Sequence, residues 1–375
     1  MRSSLIFVSM LSLLSSASFA QTAVSPGIKT PSISANTLFL YRNSNFHQAD
    51  LDPAAPDQER NGFNLQEAEL QFYADVDPYS RVNVVLAVHP ELESDGTTVE
   101  EKWVVEPEEA FAESIAIPSL TLKIGKFKAA FGKHNLLHTH AFPFVDAPLA
   151  NKALLGDEGL NDAGVSAAWL TPLSWYSELT LQVLRGQGEN EQFKSPRTGD
   201  NVGLAHWKNL WDLSDDLTVE VGASYAQGGN SFRETTSMAG GDLTFKWRPS
   251  ANGRSASLIW GTESLQRVRE QAGVDNERAS GWSSFVQYQF AERWAGLYRY
   301  DTLNVKDSFD PTALANDDYF RHSVGVVHNM TEFSSLKLEY NSRRGGPANA
   351  NGDDEEKSIF LQASFTIGSH PSHSY

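Results

Sequence analysis

A chain in which apolar and polar residues alternate over short segments, many times in succession, has few folds open to it other than sheet. Leu217-Thr218-Val219-Glu220-Val221-Gly222 alternates in this way. So do Asp242-Leu243-Thr244-Phe245-Lys246-Trp247 and Leu336-Lys337-Leu338-Glu339-Tyr340, and Arg81-Val82-Asn83-Val84 begins another. Successive side chains of a strand point to opposite faces, so each segment has one apolar or aromatic face and one charged, small or hydroxylic face. About sixteen such segments can be drawn, at 35–43, 63–76, 80–90, 104–115, 119–127, 162–171, 175–186, 200–209, 216–227, 239–248, 254–265, 281–290, 293–303, 319–329, 333–342 and 357–368.

The connections sort into two kinds. Every second one is short, at 77–79, 117–118, 172–174, 210–215, 249–253, 291–292 and 330–332. The others are longer and polar, at 44–62, 91–103, 128–161, 187–199, 228–238, 266–280, 304–318 and 343–356. An even strand number with short turns on one side and long loops on the other is the pattern of a bacterial outer-membrane barrel, with short periplasmic turns and long outer loops. In hydrocarbon every backbone N–H and C=O must be paired, so a spanning sheet has to close, and a barrel of this size encloses water. The expectation is therefore an all-β fold, a closed antiparallel transmembrane β-barrel of about sixteen strands. In the last strand Ile359, Leu361, Ala363, Phe365 and Ile367 should face lipid, and Gln362, Ser364 and Thr366 the lumen. Trp169, Trp175, Tyr176, Trp207, Trp211, Trp247, Trp282, Trp294 and Tyr300 lie near strand ends, where aromatic girdles sit.

Residues 1–20 read as a secretory signal peptide: Arg2, an apolar run over 5–14, and Ser18-Phe19-Ala20 before a cut at Gln21. Residues 21–34 read as a flexible Ser/Pro/Thr-rich lead, and 35–375 as the barrel. No later apolar run approaches the roughly 18 residues of a membrane helix. The mean hydropathy of -0.37 does not argue against a barrel, because half of each strand faces water. The chain has no cysteine, which removes thiolate chemistry and Cys-based zinc sites. A net charge of -17 argues against nucleic acid as a partner. Enzyme signatures such as G-x-S-x-G, H-E-x-x-H and the phosphate-cradling G-x-x-x-x-G-K-[ST] are missing, so no catalytic residues, no cofactor and no enzymatic activity are expected.

Strand parity turns Arg81, Lys123, Lys246, Arg299, Arg321 and Lys337 towards the channel, along with Glu67, Glu69, Asp75, Glu220, Asp242, Glu263 and Glu339. The signs are mixed, and neither anion nor cation preference follows. The longest loop starts with a basic run, Lys126, Lys128 and Lys133, which would attract anions if it sat at the narrowest point. The candidate constriction and solute-contact residues are thus Lys123, Lys126, Lys128, Lys133, Arg81, Arg299 and Arg321. His134, His138 and His140 invite a metal reading, but no single regular conformation aligns all three, and no carboxylate lies among them before Asp146. A loop role is favoured over metal binding.

The phrase Ile124-Gly125-Lys126-Phe127-Lys128-Ala129-Ala130-Phe131-Gly132 resembles a G-[KR]-F-K-x-x-F-G-like stretch of outer-membrane porins of the phosphate-selective O/P type and related porins. The last strand, 359–368, resembles a C-terminal barrel-assembly signal, although residues 369–375 follow it. The resemblance implies a third loop folded inward to constrict the pore, and a homotrimer. The Lys and Arg ladder that gives the type members their phosphate preference is not visible here. The expected function is passive diffusion of small hydrophilic solutes or ions across the outer membrane of a Gram-negative bacterium, in contact with its lipid and lipopolysaccharide. Two alternatives stay open: a receptor or substrate-specific transporter with a closed lumen, metal-linked through the histidines, and a soluble secreted β-protein.

Overall fold

The computed structural model describes residues 31–46, 60–94, 99–188, 191–250, 253, 255–309, 314–346 and 352–368. Residues 1–20, expected as a signal peptide, the lead up to residue 30 and the tail 369–375 lie outside them. Sixteen strands run β1 Ser32–Ser44, β2 Gly62–Asp75, β3 Ser80–Ser94, β4 Val99–Ser114, β5 Leu120–Lys128, β6 Asn161–Leu170, β7 Tyr176–Leu184 and β8 Val202–Ser214. They continue as β9 Leu217–Gly229, β10 Thr235–Trp247, β11 Ser257–Arg269, β12 Glu277–Ala291, β13 Trp294–Lys306, β14 Asp318–Thr331, β15 Ser334–Arg344 and β16 Glu355–Gly368. One short helix, α1 Leu149–Leu155, lies in the long connection between β5 and β6. Each strand pairs antiparallel with its neighbour in sequence, and β16 closes on β1 from Ser34↔Gly368 to Ser44↔Ser358.

The strands extend further on the long-loop side than alternation suggests. The β3–β4 hairpin keeps pairing out to Ser94↔Val99. Glu91, Glu100, Glu101 and Lys102 carry no apolar face there. Backbone pairing carries the ladder on past the last regularly alternating positions, so the two-faced signal ends before the strand does.

The parity of the membrane face follows the sequence. Ile359, Leu361, Phe365 and Ile367 are exposed outward, while Phe360 and Gln362 are buried inside. Trp169, Trp175, Trp207, Trp282 and Trp294 are also exposed on the outer face. Such an apolar exterior is stable only in a medium that is itself apolar.

Irregularities are confined and meaningful. The β3–β4 register shifts between Val85 (opposite Glu109) and Leu86 (opposite Pro107), so Glu108 is an extra residue in a bulge. A bulge also accommodates Pro107, which has no N–H to offer a ladder. The β4–β5 ladder runs only from Glu113↔Lys123 to Ala110↔Lys126. Gly125 sits in this ladder at φ 135°, and a Cβ there would lie 2.2 Å from the Ala110 carbonyl oxygen. That contact explains why the strand leading to the longest loop needs a glycine.

Inside the barrel lies an apolar cluster. Phe127, Phe131, Leu154, Leu155 and Leu160, from the end of β5 and the loop after it, pack with Leu204, Met238, Leu265 and Leu303 of the wall. The third long connection is thus part of the interior.

Gly125→Ala should destabilise the barrel by about 2–3 kcal/mol through the backbone clash and the left-handed φ. Gly203→Ala, where a Cβ meets nothing within 4 Å, should stay within about 0.5 kcal/mol of wild type. Urea unfolding in detergent, followed by heat-modifiable gel mobility, separates the two.

Candidate functional site

The connection between β5 and β6, the third long loop (L3), leaves the wall at Lys128 and rejoins it at Asn161. The Ala129 N–H donates to the Leu160 carbonyl at 2.8 Å and closes its base. In between come two 3-10 turns, His134–Leu136 and Thr139–Ala141, and then α1. The loop bonds to the wall along its whole length. The Ala130 N–H donates to Gln182 on β7 at 3.0 Å, and the Gly132 N–H to the Ser224 hydroxyl on β9 at 2.8 Å. Lys133 and His134 each donate a backbone N–H to the Glu263 carboxylate on β11 at 3.0 Å, and the Asn151 amide adds a third bond at 2.8 Å. The left-handed Gly132 (φ 67°) permits this wrap, since a Cβ there would lie 2.6 Å from that carboxylate. Further on, the Thr139 hydroxyl donates to Glu67 on β2 at 3.2 Å, and the Val145 N–H to Glu339 on β15 at 3.1 Å. Lys337 on β15 donates to the Phe142 carbonyl at 2.5 Å.

The tightest attachment is ionic. Asp146, beyond the second 3-10 turn, accepts from Arg299 on β13 at 2.6 Å and from Arg321 on β14 at 2.5 Å. Both guanidiniums are also held by Asp301, at 3.1 and 2.7 Å, and Arg321 reaches the Ala147 carbonyl at 2.8 Å. Arg299 lies over the Phe144 ring at 4.0 Å and is 0% exposed. The enclosed position of Asp146 would by itself favour its neutral form. Arg321 and Arg299 outweigh this and hold its carboxyl well below the usual carboxylate range. Two planar forks sharing two carboxylates make a rigid, charge-assisted clamp.

A second polar cluster joins L3 to β2 and β4. His138 Nδ1 lies 3.0 Å from Glu108 and 3.5 Å from Glu69, and its Nε2 lies 3.3 Å from Glu109. His140 Nδ1 lies 3.1 Å from Glu69, and Lys128 Nζ 2.8 Å from Glu108. The bulge lets Glu108 and Glu109, adjacent in sequence, both turn inward, where regular alternation would put one outside. Burial alone would keep His138 neutral, but Glu108, Glu109 and Glu69 outweigh it and raise its pKa well above the usual imidazole range. His134 is set apart from these two, tilted against Phe142 at 4.3 Å and stacked on Phe144 at 5.5 Å between ring centres. Burial, with Arg299 and Lys128 nearby, lowers its pKa to about 3 and keeps it neutral.

The residues singled out from sequence fall in several places. Arg299 and Arg321 are buried in the clamp. Lys128 is buried against Glu108, and Lys133 pairs with Glu220 on β9 at 2.8 Å. Lys123 faces inward, with its ammonium 3.9 Å from the Phe111 ring centre. Lys126 shares strand parity with the outward-facing Ile124 and is half-buried. Arg81 lies near the short turns with Asp75 at 2.8 Å. The loop's wall partners were only partly readable. Glu67, Glu69, Glu263 and Glu339 follow from parity, whereas Glu108, Glu109 and Asp301 do not figure among the sequence candidates. The signal for the first two was Pro107 inside a strand, which marks a bulge.

All sixteen strands carry at least one inward residue that is almost fully buried, such as Asn36, Glu69, Val85, Glu108, Phe127, Ser166, Gln182, His206, Ala226, Thr244, Glu263, Phe285, Asp301, Ser323, Glu339 and Gln362. A lumen of this strand number lined by water alone would leave such side chains wet. L3 is what covers them on the strands it meets.

The geometry can now be set beside known proteins. No family model matches the sequence. Among solved structures, the anion-selective porin of Comamonas acidovorans superposes with a TM-score of 0.59 at 8% identity, covering 90% of this chain and 100% of that one. The outer membrane channel DcaP of Acinetobacter baumannii gives 0.56 at 10% identity, covering 90% and 96%. OprB of Pseudomonas putida gives 0.57 at 8%, covering 90% and 94%. At these identities the likeness is one of fold alone, a porin-like β-barrel. A relative in sequence is an uncharacterised protein of Aquifex aeolicus, 30% identical, with 84% of this chain and 71% of that protein covered. The chain belongs to the same family as that Aquifex aeolicus protein.

Proposed function

We propose that the protein is an outer-membrane channel for small hydrophilic solutes or ions, in which L3 sets what passes. The observation that carries this reading is the span of L3 across the lumen, bonded to β2, β4, β7, β9, β11, β13, β14 and β15. Passive passage needs no covalent chemistry, so the protein acts without enzymatic activity. Residues 1–20 direct export, and the barrel then sits among outer-membrane lipid and lipopolysaccharide. A trimer is the working assembly; the OmpT porin of Vibrio cholerae is described in a trimer form. The likeness to phosphate-selective porins is not extended to the solute, because two of the three lysines at the loop entry are met by carboxylates: Lys128 by Glu108 and Lys133 by Glu220. Beyond the acids used in those pairs, the lumen gathers Glu67, Glu69, Glu109, Asp242 and Glu263 along β2, β4, β10 and β11. Such a lining favours cations.

A second reading, a closed-lumen transporter specific for one substrate, is favoured by the depth to which the lining is buried. The clamp separates the two. Asp146→Ala loosens the loop where it meets β13 and β14 while leaving Arg299 and Arg321 with Asp301, so the wall keeps its ion pairs. In planar bilayers the wild type should show small, ohmic unit steps, and Asp146→Ala should raise them about two- to fivefold. A wild type without steps beside a conducting variant would favour the closed-lumen reading, and silence from both would end the channel reading.

In a KCl gradient the reversal potential should report K⁺ over Cl⁻ permeability of about 3. A ratio at or below unity would contradict the carboxylate lining as the selective element.

A further inference from the structure

We propose that the β2–β4 side of the lumen holds a divalent transition-metal site formed by Glu69, Glu108 and His138, with His140 and Glu67 as an adjoining arm. The ligating atoms of Glu69, Glu108 and His138 all lie within 4.8 Å of one another, and so do those of Glu67, Glu69 and His140. His138 Nδ1 stands 3.0 Å from Glu108 Oε2 and 3.5 Å from Glu69 Oε2. Two ligands bonded at about 2.1 Å to a tetrahedral ion stand about 3.4 Å apart, so the cluster is already spaced for coordination.

Charge points the same way. Glu67, Glu69, Glu108 and Glu109 are all buried, and the cationic side chains paired into the group are Lys128 and His138, whose ring proton a bound metal would displace. Carboxylates crowded away from water need a compensating cation. Oε2 of Glu108 is sealed from solvent and receives no well-aligned hydrogen bond, although it points at His138 Nδ1. An ion between them would satisfy it. Imidazole nitrogen mixed with carboxylate oxygen suits zinc, manganese, cobalt or iron(II), whereas calcium and magnesium prefer oxygen alone. The ligands come from both the wall and the loop, two strands giving glutamates and L3 the histidines. The ion therefore ties L3 down at a second place, away from the Asp146 clamp, and its removal loosens the loop. That last consequence rests on the channel reading; binding itself does not.

Purified full-length barrel, stripped with chelator and dialysed, is titrated with Co²⁺ and with Zn²⁺ in detergent. The site predicts about one tightly held ion per chain. It also predicts a Co²⁺ absorption band of low-coordinate nitrogen–oxygen type, and a higher temperature of heat-modified gel migration. Glu69→Gln should weaken binding about 100-fold while migrating as a folded barrel. Should that variant fail to fold, His140→Ala, at the edge of the cluster, should still weaken binding measurably. Wild type that binds neither ion, or that binds Co²⁺ with a purely octahedral aquo-like spectrum, overturns the site. So does a folded variant that binds as wild type does. Conductance unchanged by metal alongside confirmed binding would leave the site standing and refute only its hold on the loop.

Discussion

A polypeptide crossing hydrocarbon has to satisfy each backbone N–H and C=O within itself, and a sheet does so only by closing. Closure of sixteen strands creates the second problem, an interior too wide for the wall's own side chains to fill. Here the interior is occupied by L3. The apolar half of the loop, Phe127 to Phe131 and then Leu154 to Leu160, packs against the wall as a small core. Its polar half meets charges from the strands. The barrel supplies the frame and the loop determines what is left of the lumen.

The loop is held by two chemically different attachments. On β13 and β14 two guanidiniums converge on one loop carboxylate, and on β2 and β4 several wall carboxylates converge on loop histidines and Lys128. The signs are reversed between the two places, so the loop fits the wall in one register. Breaking one partner of a buried pair leaves an uncompensated charge, at a cost of about 3–5 kcal/mol. Loss of the wall arginines would therefore disturb the barrel itself, whereas loss of Asp146 falls mainly on the loop.

The fold was legible because a membrane strand writes its two faces into alternate residues, as Ile359, Leu361 and Phe365 against Gln362 illustrate. The inward direction of L3 was legible only through its length and a resemblance, and its partners less so. Bonds such as Val145 to Glu339 join residues almost two hundred positions apart and leave no local trace. The bulge at Glu108 reversed parity just where the histidine cluster forms. The absence of acids near the histidines in sequence was misleading for the same reason, since the acids come from other strands. The lysines of the loop's first turn read as open cations, but their carboxylate partners lie on β4 and β9.

The central claim is that L3 crosses the lumen and rests on the far strands. A photo-reactive phenylalanine analogue at Phe142, activated in intact outer membranes, tests it most directly. Phe142 lies beside Phe144, against the cluster that Phe144 forms with Phe285 and Leu297, and its carbonyl accepts from Lys337. The adducts, read by mass spectrometry, should therefore fall on peptides of β12, β13 and β15. Adducts confined to outer loops or lipopolysaccharide would contradict the account.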